Sequence, residues 1–163
     1  MEVAKSKYID DGGHPIDFAF FNNGGLRSSL PKGTITTRNV YELMPFENEL
    51  VILSINGAIA TKLFNYISAK DGVPVSKLRM GIKGGQPVNV LINGQPYDST
   101  YIYKAVTSNY LADGGDQMFF LTEAKRESLN MKIRDALIEY MQLKNKKGEK
   151  LTAQLDNRIY HVQ

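Results

Sequence analysis

Leu78-Arg79-Met80-Gly81-Ile82-Lys83-Gly84-Gly85-Gln86-Pro87-Val88-Asn89-Val90-Leu91-Ile92 is the stretch on which the fold class turns. Two apolar segments, Leu78 to Ile82 and Val88 to Ile92, flank Lys83-Gly84-Gly85-Gln86. Paired glycines between apolar runs signal a β-hairpin, because the tightest hairpin turns need a backbone that glycine adopts without a Cβ clash. Hairpin-like neighbours mixed with two or three helices, without regular βαβ alternation, make the chain α+β.

Toward the N-terminus, Glu49 to Ile55 is rich in Val, Ile and Leu and reads as a strand. Asn56 then caps a helix that carries Ile59, Leu63, Tyr66 and Ile67 on one face. Thr34 to Met44 predicts a short helix, with Thr36 or Thr37 capping its start and Pro45 following its end. Ile16 to Phe21, bounded by Pro15 and by Asn22-Asn23-Gly24-Gly25, reads as a buried strand entering a tight loop. Glu2 to Tyr8 predicts the end of a helix, stopped by Asp11-Gly12-Gly13 and lacking a capping residue at its start. The chain is therefore expected to open inside an element.

Toward the C-terminus, Tyr101 to Thr107 reads as a strand ending in Asn109-Tyr110-Leu111-Ala112-Asp113-Gly114-Gly115-Asp116. Leu129, Ile133, Ala136, Leu137, Tyr140 and Met141 recur at helical spacing and predict a helix closed by Gly148. Arg158 to Val162 predicts a final strand.

With 163 residues, the chain has the length of one domain, expected to span 1–163. Its net charge of +3 comes from 20 basic and 17 acidic residues spread along the sequence, which argues against a nucleic-acid face. The dense run Lys144, Lys146, Lys147 and Lys150 reads as a solvated helix end. Zero cysteines exclude disulfides, thiolate metal ligands and a thiol nucleophile. No apolar run approaches the roughly 18 residues of a membrane span. Met1 to Lys5 lacks the features of a signal peptide, so the protein is cytoplasmic or its leader lies outside this chain.

Phosphate ester hydrolysis commonly uses a pair of metal ions held by His, Asp and Asn. The two histidines, His14 in a Gly-Gly-His-Pro turn and His161 in the terminal strand, lie far apart and read as structural or surface residues. No serine occupies a Gly-x-Ser-x-Gly elbow. Three segments nonetheless invite a ligand. Gly24-Gly25 lets backbone approach one closely and places Arg27, whose planar fork suits a phosphate, beside the loop; a plain turn with a surface ion pair fits equally. In the loop to Asp116, a ring at Tyr110 and an acid that accepts from vicinal hydroxyls flank Gly-Gly, although a capped glycine turn reads the same way. Phe46, in Pro45-Phe46-Glu47-Asn48, is either core or one of two rings bracketing a base.

Taken in order, Asn22-Asn23-Gly24-Gly25-Leu26-Arg27, Gly33-Thr34-Ile35-Thr36, Pro45-Phe46-Glu47-Asn48 and Asn109 to Asp116 resemble the 5'-nucleotidase C-terminal, substrate-binding domain. The resemblance spans nearly the whole chain and implies mixed sheets layered with helices, an αββα-type arrangement. It implies that Phe46 and Tyr110 stack a base, with tyrosine where many relatives have phenylalanine. It further implies that Asn48 and Asn22 hydrogen-bond to the base, Asp116 to the ribose and Arg27 to the phosphate, beside Gly24 and Gly25. Three positions depart from the family pattern: Asn23, Lys77 and Gln117 stand where glycine is usual.

The function so implied is nucleoside or nucleotide binding for a 5'-nucleotidase-like phosphomonoester hydrolase in nucleotide catabolism. The ligand would be a nucleoside 5'-phosphate or a nucleoside. The partner would be a metallophosphatase domain or subunit that carries two divalent metals and every catalytic residue, leaving this chain without cofactor and inactive alone. By resemblance the compartment is periplasmic or extracellular, and Met1 to Tyr8 is the end of a longer helix, as in a truncated or mis-started product. Two alternatives are a stand-alone nucleoside-binding module without catalysis and an interaction domain whose pocket is lost.

Overall fold

Local chemistry sets most elements of the computed structural model, which describes residues 1–8 and 15–163. In chain order, α1 (Glu2–Lys7) and β1 (Phe18–Phe20) lead into a 3₁₀ turn at Asn23–Gly25 and then α2 (Thr37–Leu43). They are followed by β2 (Glu49–Ile55), α3 (Gly57–Ala69), β3 (Val75–Ser76), β4 (Leu78–Lys83), β5 (Gln86–Ile92) and β6 (Gln95–Pro96). The remainder is β7 (Tyr103–Ser108), the one-turn α4 (Asn109–Ala112), 3₁₀ turns at Gly115–Gln117 and Phe119–Glu123, β8 (Arg126–Lys132), α5 (Ile133–Lys146) and β9 (Ile159–His161). The Asp11-Gly12-Gly13 stop and the turn holding His14 lie outside the described residues.

Thr36 caps α2 in a reciprocal box: its Oγ1 accepts from the Asn39 amide at 3.3 Å, and Asn39 Oδ1 accepts from the Thr36 amide at 2.9 Å. Asn56 Oδ1 accepts from the Ile59 amide at 3.0 Å and starts α3. The β4–β5 hairpin turns on Gly84 and Gly85 at φ 55° and 77°, the paired positive values that a tight hairpin demands.

Strands assemble into a five-stranded sheet, ordered β3-β1-β7-β2-β8, and a four-stranded one, ordered β6-β5-β4-β9. Both are mixed, since β1 pairs parallel with β7 and β4 parallel with β9 while the other pairs are antiparallel. Alternation in the larger sheet fills two cores. Phe18, Phe20, Val51, Leu53 and Ile55 face one side, where they meet Ile59, Leu63 and Ile67 of α3 and Leu78, Met80 and Ile82 of β4. Ala19, Leu50, Ile52 and Val106 face the other, covered by Ala4 of α1 and by Ile133, Ala136 and Leu137 of α5. The α+β class and its layered mixed sheets are as expected.

One expectation fails. Leu129 reads as the first turn of the last helix, yet it lies in β8, which pairs antiparallel with β2 through Val51↔Ser128, Ile52↔Glu127 and Leu53↔Arg126. Leu129 and Met131 both reach the second core, a two-residue repeat that suits a strand edge. Backbone pairing along β2 outweighs the four-residue spacing to Ile133.

Among the described residues, eight that are not glycine hold positive φ, and six of them are Asn or Asp, which tolerate it. The others are Lys77 (φ 62°) and Gln117 (φ 67°), two of the three departures noted in the sequence. Asn23, the third, takes no left-handed backbone, and its Nδ2 donates to the Gly72 carbonyl at 3.3 Å. A left-handed backbone costs a residue with a Cβ about 1–2 kcal/mol, offset partly by the roughly 0.5–1 kcal/mol of extra chain entropy that glycine loses. Lys77→Gly and Gln117→Gly are each expected to stabilise the domain by about 0.5–1 kcal/mol. Urea denaturation checks this, and a lowered midpoint for both would contradict it.

Candidate functional site

Sheet topology gathers the predicted residues at one end. Because β1 runs parallel to β7 (Phe18↔Ala105, Ala19↔Val106), the loop after Phe20 and the loop after Ser108 leave the sheet on the same side. Since β2 is antiparallel to β7 with Leu50↔Ser108, the segment before Glu49 arrives there too. Asn109 Oδ1 accepts from the Glu49 amide at 3.0 Å and closes that end of the ladder. Asn22 to Arg27, Phe46 to Asn48 and Tyr110 to Asp116 therefore rise from adjacent strand ends, about 5 Å apart per strand.

Within this cluster the residues fall into three groups. Arg27 places its guanidinium over the Phe46 ring, 5.8 Å from the centroid, and its amide donates to the Leu43 carbonyl at 2.9 Å. Tyr110 Oη donates to Asp116 Oδ1 at 2.8 Å and accepts from the Asp116 amide at 3.2 Å. Asn22, Gly25 and Asn48 line a cavity of about 500 Å3 with Phe21, Leu26, Met44 and Leu50, beneath α1 and α5. Arg27, Phe46, Tyr110 and Asp116 are not among the residues lining that cavity. Gly24 sits in the 3₁₀ turn beside the Asn22 amide group. Phe46 and Tyr110 are 37% and 42% exposed, so neither ring is packed into the core.

A second cavity, about 550 Å3, opens at the opposite end of the strands, lined by Ser54, Asn56, Tyr101, Ile102 and Lys104. It touches none of the predicted residues, and its similar size carries no weight against the convergence of three loops.

Two supporting residues escaped the sequence. Tyr66, counted there on the apolar face of its helix, donates from its hydroxyl to the Asp116 carbonyl at 3.0 Å. Burial first, then the nearby Asp116 and Tyr110, raises the Tyr66 pKa, so the phenol stays a donor at neutral pH. Arg134, at the start of α5, reaches Glu47 with Nη2–Oε1 at 2.6 Å. Both contacts join positions far apart in the chain, and no local pattern announces them.

Glu47 also pairs with Lys132. Hydrogen bonds from Lys132 and then Arg134 pull the Glu47 pKa from 4.5 to about 2. Because the folded value is depressed, this contribution to stability is present above the usual carboxylate range and lost as pH falls through about 2. The segment bearing Phe46 thus keeps its ion pairs under mildly acidic conditions.

Among the described residues, no group of three or more His, Cys, Asp or Glu is placed to hold a metal ion. His161 instead pairs on the surface with Asp71, Nε2–Oδ1 2.9 Å. No described helix is long and apolar enough to cross a membrane.

A family model described as the 5'-nucleotidase C-terminal domain matches residues 4–123. Protein UshA of Yersinia enterocolitica is 31% identical over 105 residues, covering 61% of this chain and 19% of that protein. A 5'-nucleotidase of Vibrio cholerae is 30% identical over 108 residues, with the same coverage of 61% and 19%. The chain therefore spans about a fifth of the length of these curated relatives. Among solved structures, a 5'-nucleotidase precursor from Thermus thermophilus superposes with a TM-score of 0.76 at 29% identity, over 90% of this chain and 32% of that one. The NAD nucleotidase of Haemophilus influenzae, at 19% identity and a TM-score of 0.73, shares the fold over 91% of this chain and 30% of its own.

Proposed function

The chain belongs to the 5'-nucleotidase C-terminal domain family, and from that premise we propose that it binds a nucleoside or nucleoside 5'-phosphate for hydrolysis by a metallophosphatase domain or subunit. The observation that carries this reading is the rise of Arg27, Phe46, Tyr110 and Asp116 from adjacent ends of β1, β2 and β7, with both rings exposed. A base stacks between Phe46 and Tyr110 and uses the Phe46 face that Arg27 leaves open. Asn22 and Asn48, on the cavity side, donate and accept along the base edge. Asp116, whose Oδ1 is oriented by the Tyr110 hydroxyl, accepts from the ribose.

Arg27 meets the phosphate through charge-assisted hydrogen bonds from its fork. The two divalent metals and the reacting groups are taken to lie on the partner domain or subunit. The compartment is proposed as periplasmic or extracellular.

Isothermal titration with adenosine and AMP tests the reading. Phe46→Ala or Tyr110→Ala is expected to weaken adenosine binding by about 1–3 kcal/mol, the range measured for a base on an aromatic platform. Arg27→Ala should weaken AMP more than adenosine. Equal losses for the two ligands would remove Arg27 from the phosphate, and unchanged adenosine affinity in both ring variants would remove the base from this end of the sheet.

A further inference from the structure

Arg134 is 5% exposed, and its guanidinium faces the segment from Tyr41 to Glu47 that delivers Phe46. Its guanidinium lies 4.0 Å from the centroid of the Tyr41 ring. Nη2 donates to Glu47 Oε1 at 2.6 Å, while Nη1 points to the Met44 and Phe46 carbonyls at 3.5 Å each. The two short-range contacts bracket residue 46 on both sides in sequence, and the two long ones address the backbone between them. Nε is buried without a partner.

A buried guanidinium with an unmet donor, paired to a carboxylate that is 63% exposed, is a poor device for stability, since ion pairs open to solvent contribute little. What the group does supply is a rigid planar fork with fixed donor directions. It is fixed in turn by its place at the start of α5, where the Ile133 amide donates to the Asn48 carbonyl at 2.9 Å. Phe46 itself is 37% exposed, with the guanidinium of the exposed Arg27 over its ring.

We propose that Arg134 is a positioning residue, which clamps the Tyr41–Glu47 segment so that the Phe46 ring is preorganised to stack a base. This rests on the nucleoside-binding reading above. The clamp acts on the loop and touches no ligand, so its loss lowers affinity by letting the ring wander.

The chain contains no tryptophan, so Phe46→Trp introduces a sole tryptophan at the position in question, excited selectively at the red edge where the tyrosines do not absorb. In that background, adding Arg134→Met is expected to lower the steady-state anisotropy and shift the emission to the red before any ligand is present. Adenosine affinity should fall about tenfold, within the range of a lost stacking contact. Arg134→Lys, which keeps the charge without the fork, should fall between the two, and it decides the matter by the same readouts if the methionine variant does not fold. Anisotropy and emission that stay constant while the melting temperature drops would mean Arg134 serves the fold alone and would overturn the proposal. So would a freed ring with unchanged adenosine affinity. If the Phe46→Trp protein ignores adenosine altogether while its anisotropy still responds to Arg134, the nucleoside reading fails and the clamp on residue 46 stands.

Discussion

Phe20→Ala is expected to destabilise the domain by about 3–5 kcal/mol, the usual range for truncating a buried phenylalanine. Phe20 is fully buried, and its ring stacks 6.1 Å from that of Phe18 in the core shared by both sheets and α3. Folded domains are stable by only about 5–15 kcal/mol, so this one truncation removes a large share. It also reaches the site. β1 is three residues long, and the loop from Asn22 to Arg27 begins two residues after Phe20. Its strand pairs with β3 and β7 through only a few residues on each side, so side-chain burial does much of the anchoring. Phe20→Leu keeps most of the volume and should lose less than about 1.5 kcal/mol. Urea denaturation of the two variants measures the difference, and a loss under about 1 kcal/mol for the alanine variant would show that the ring is not packed as described.

The second large effect is expected at Gly115. A Cβ built there lies 2.5 Å from Cε1 and Cζ of Tyr110 and 2.6 Å from the Tyr110 carbonyl oxygen. A ring can swing away, whereas the carbonyl belongs to the backbone of α4 and cannot move without opening the turn. Gly115→Ala should therefore destabilise by about 1–3 kcal/mol, as overpacking of a tight contact does. It should also displace the Tyr110 ring, breaking the hydroxyl contacts to Asp116 and weakening adenosine binding.

Placing the same change in a Tyr110→Ala background removes the ring contacts and leaves the carbonyl one. The stability loss should shrink without vanishing, and the effect on adenosine should disappear. An undiminished loss in that background would assign the whole clash to backbone and take the ring out of the explanation.

Much of the fold was legible because the signals are local. The Thr36 and Asn56 caps, the apolar run of β2 and the Gly84-Gly85 turn are each settled within a few residues of chain, and each appears where the sequence predicts it. β8 was not legible. Its Leu129 stands four residues before Ile133 and so continues a helical spacing, while the partner that makes it a strand is β2, some 75 residues away. β3 and β6, of two residues each, carry no pattern long enough to read.

For the site, residue chemistry was determined by the sequence alone: two aromatic rings, an arginine beside glycines, an aspartate after Gly-Gly, two asparagines in loops. Their assembly was decided by the tertiary structure, through the parallel pairing of β1 with β7 and the antiparallel pairing of β2 on its other side. Strand order and direction follow from burying both faces of the sheet at once, a condition on the whole chain that no single segment encodes. The same holds for Tyr66 on Asp116 and Arg134 on Glu47, contacts made across 50 and 87 residues. Local sequence dictates which element forms, whereas the supports around a ligand site depend on which distant surfaces meet.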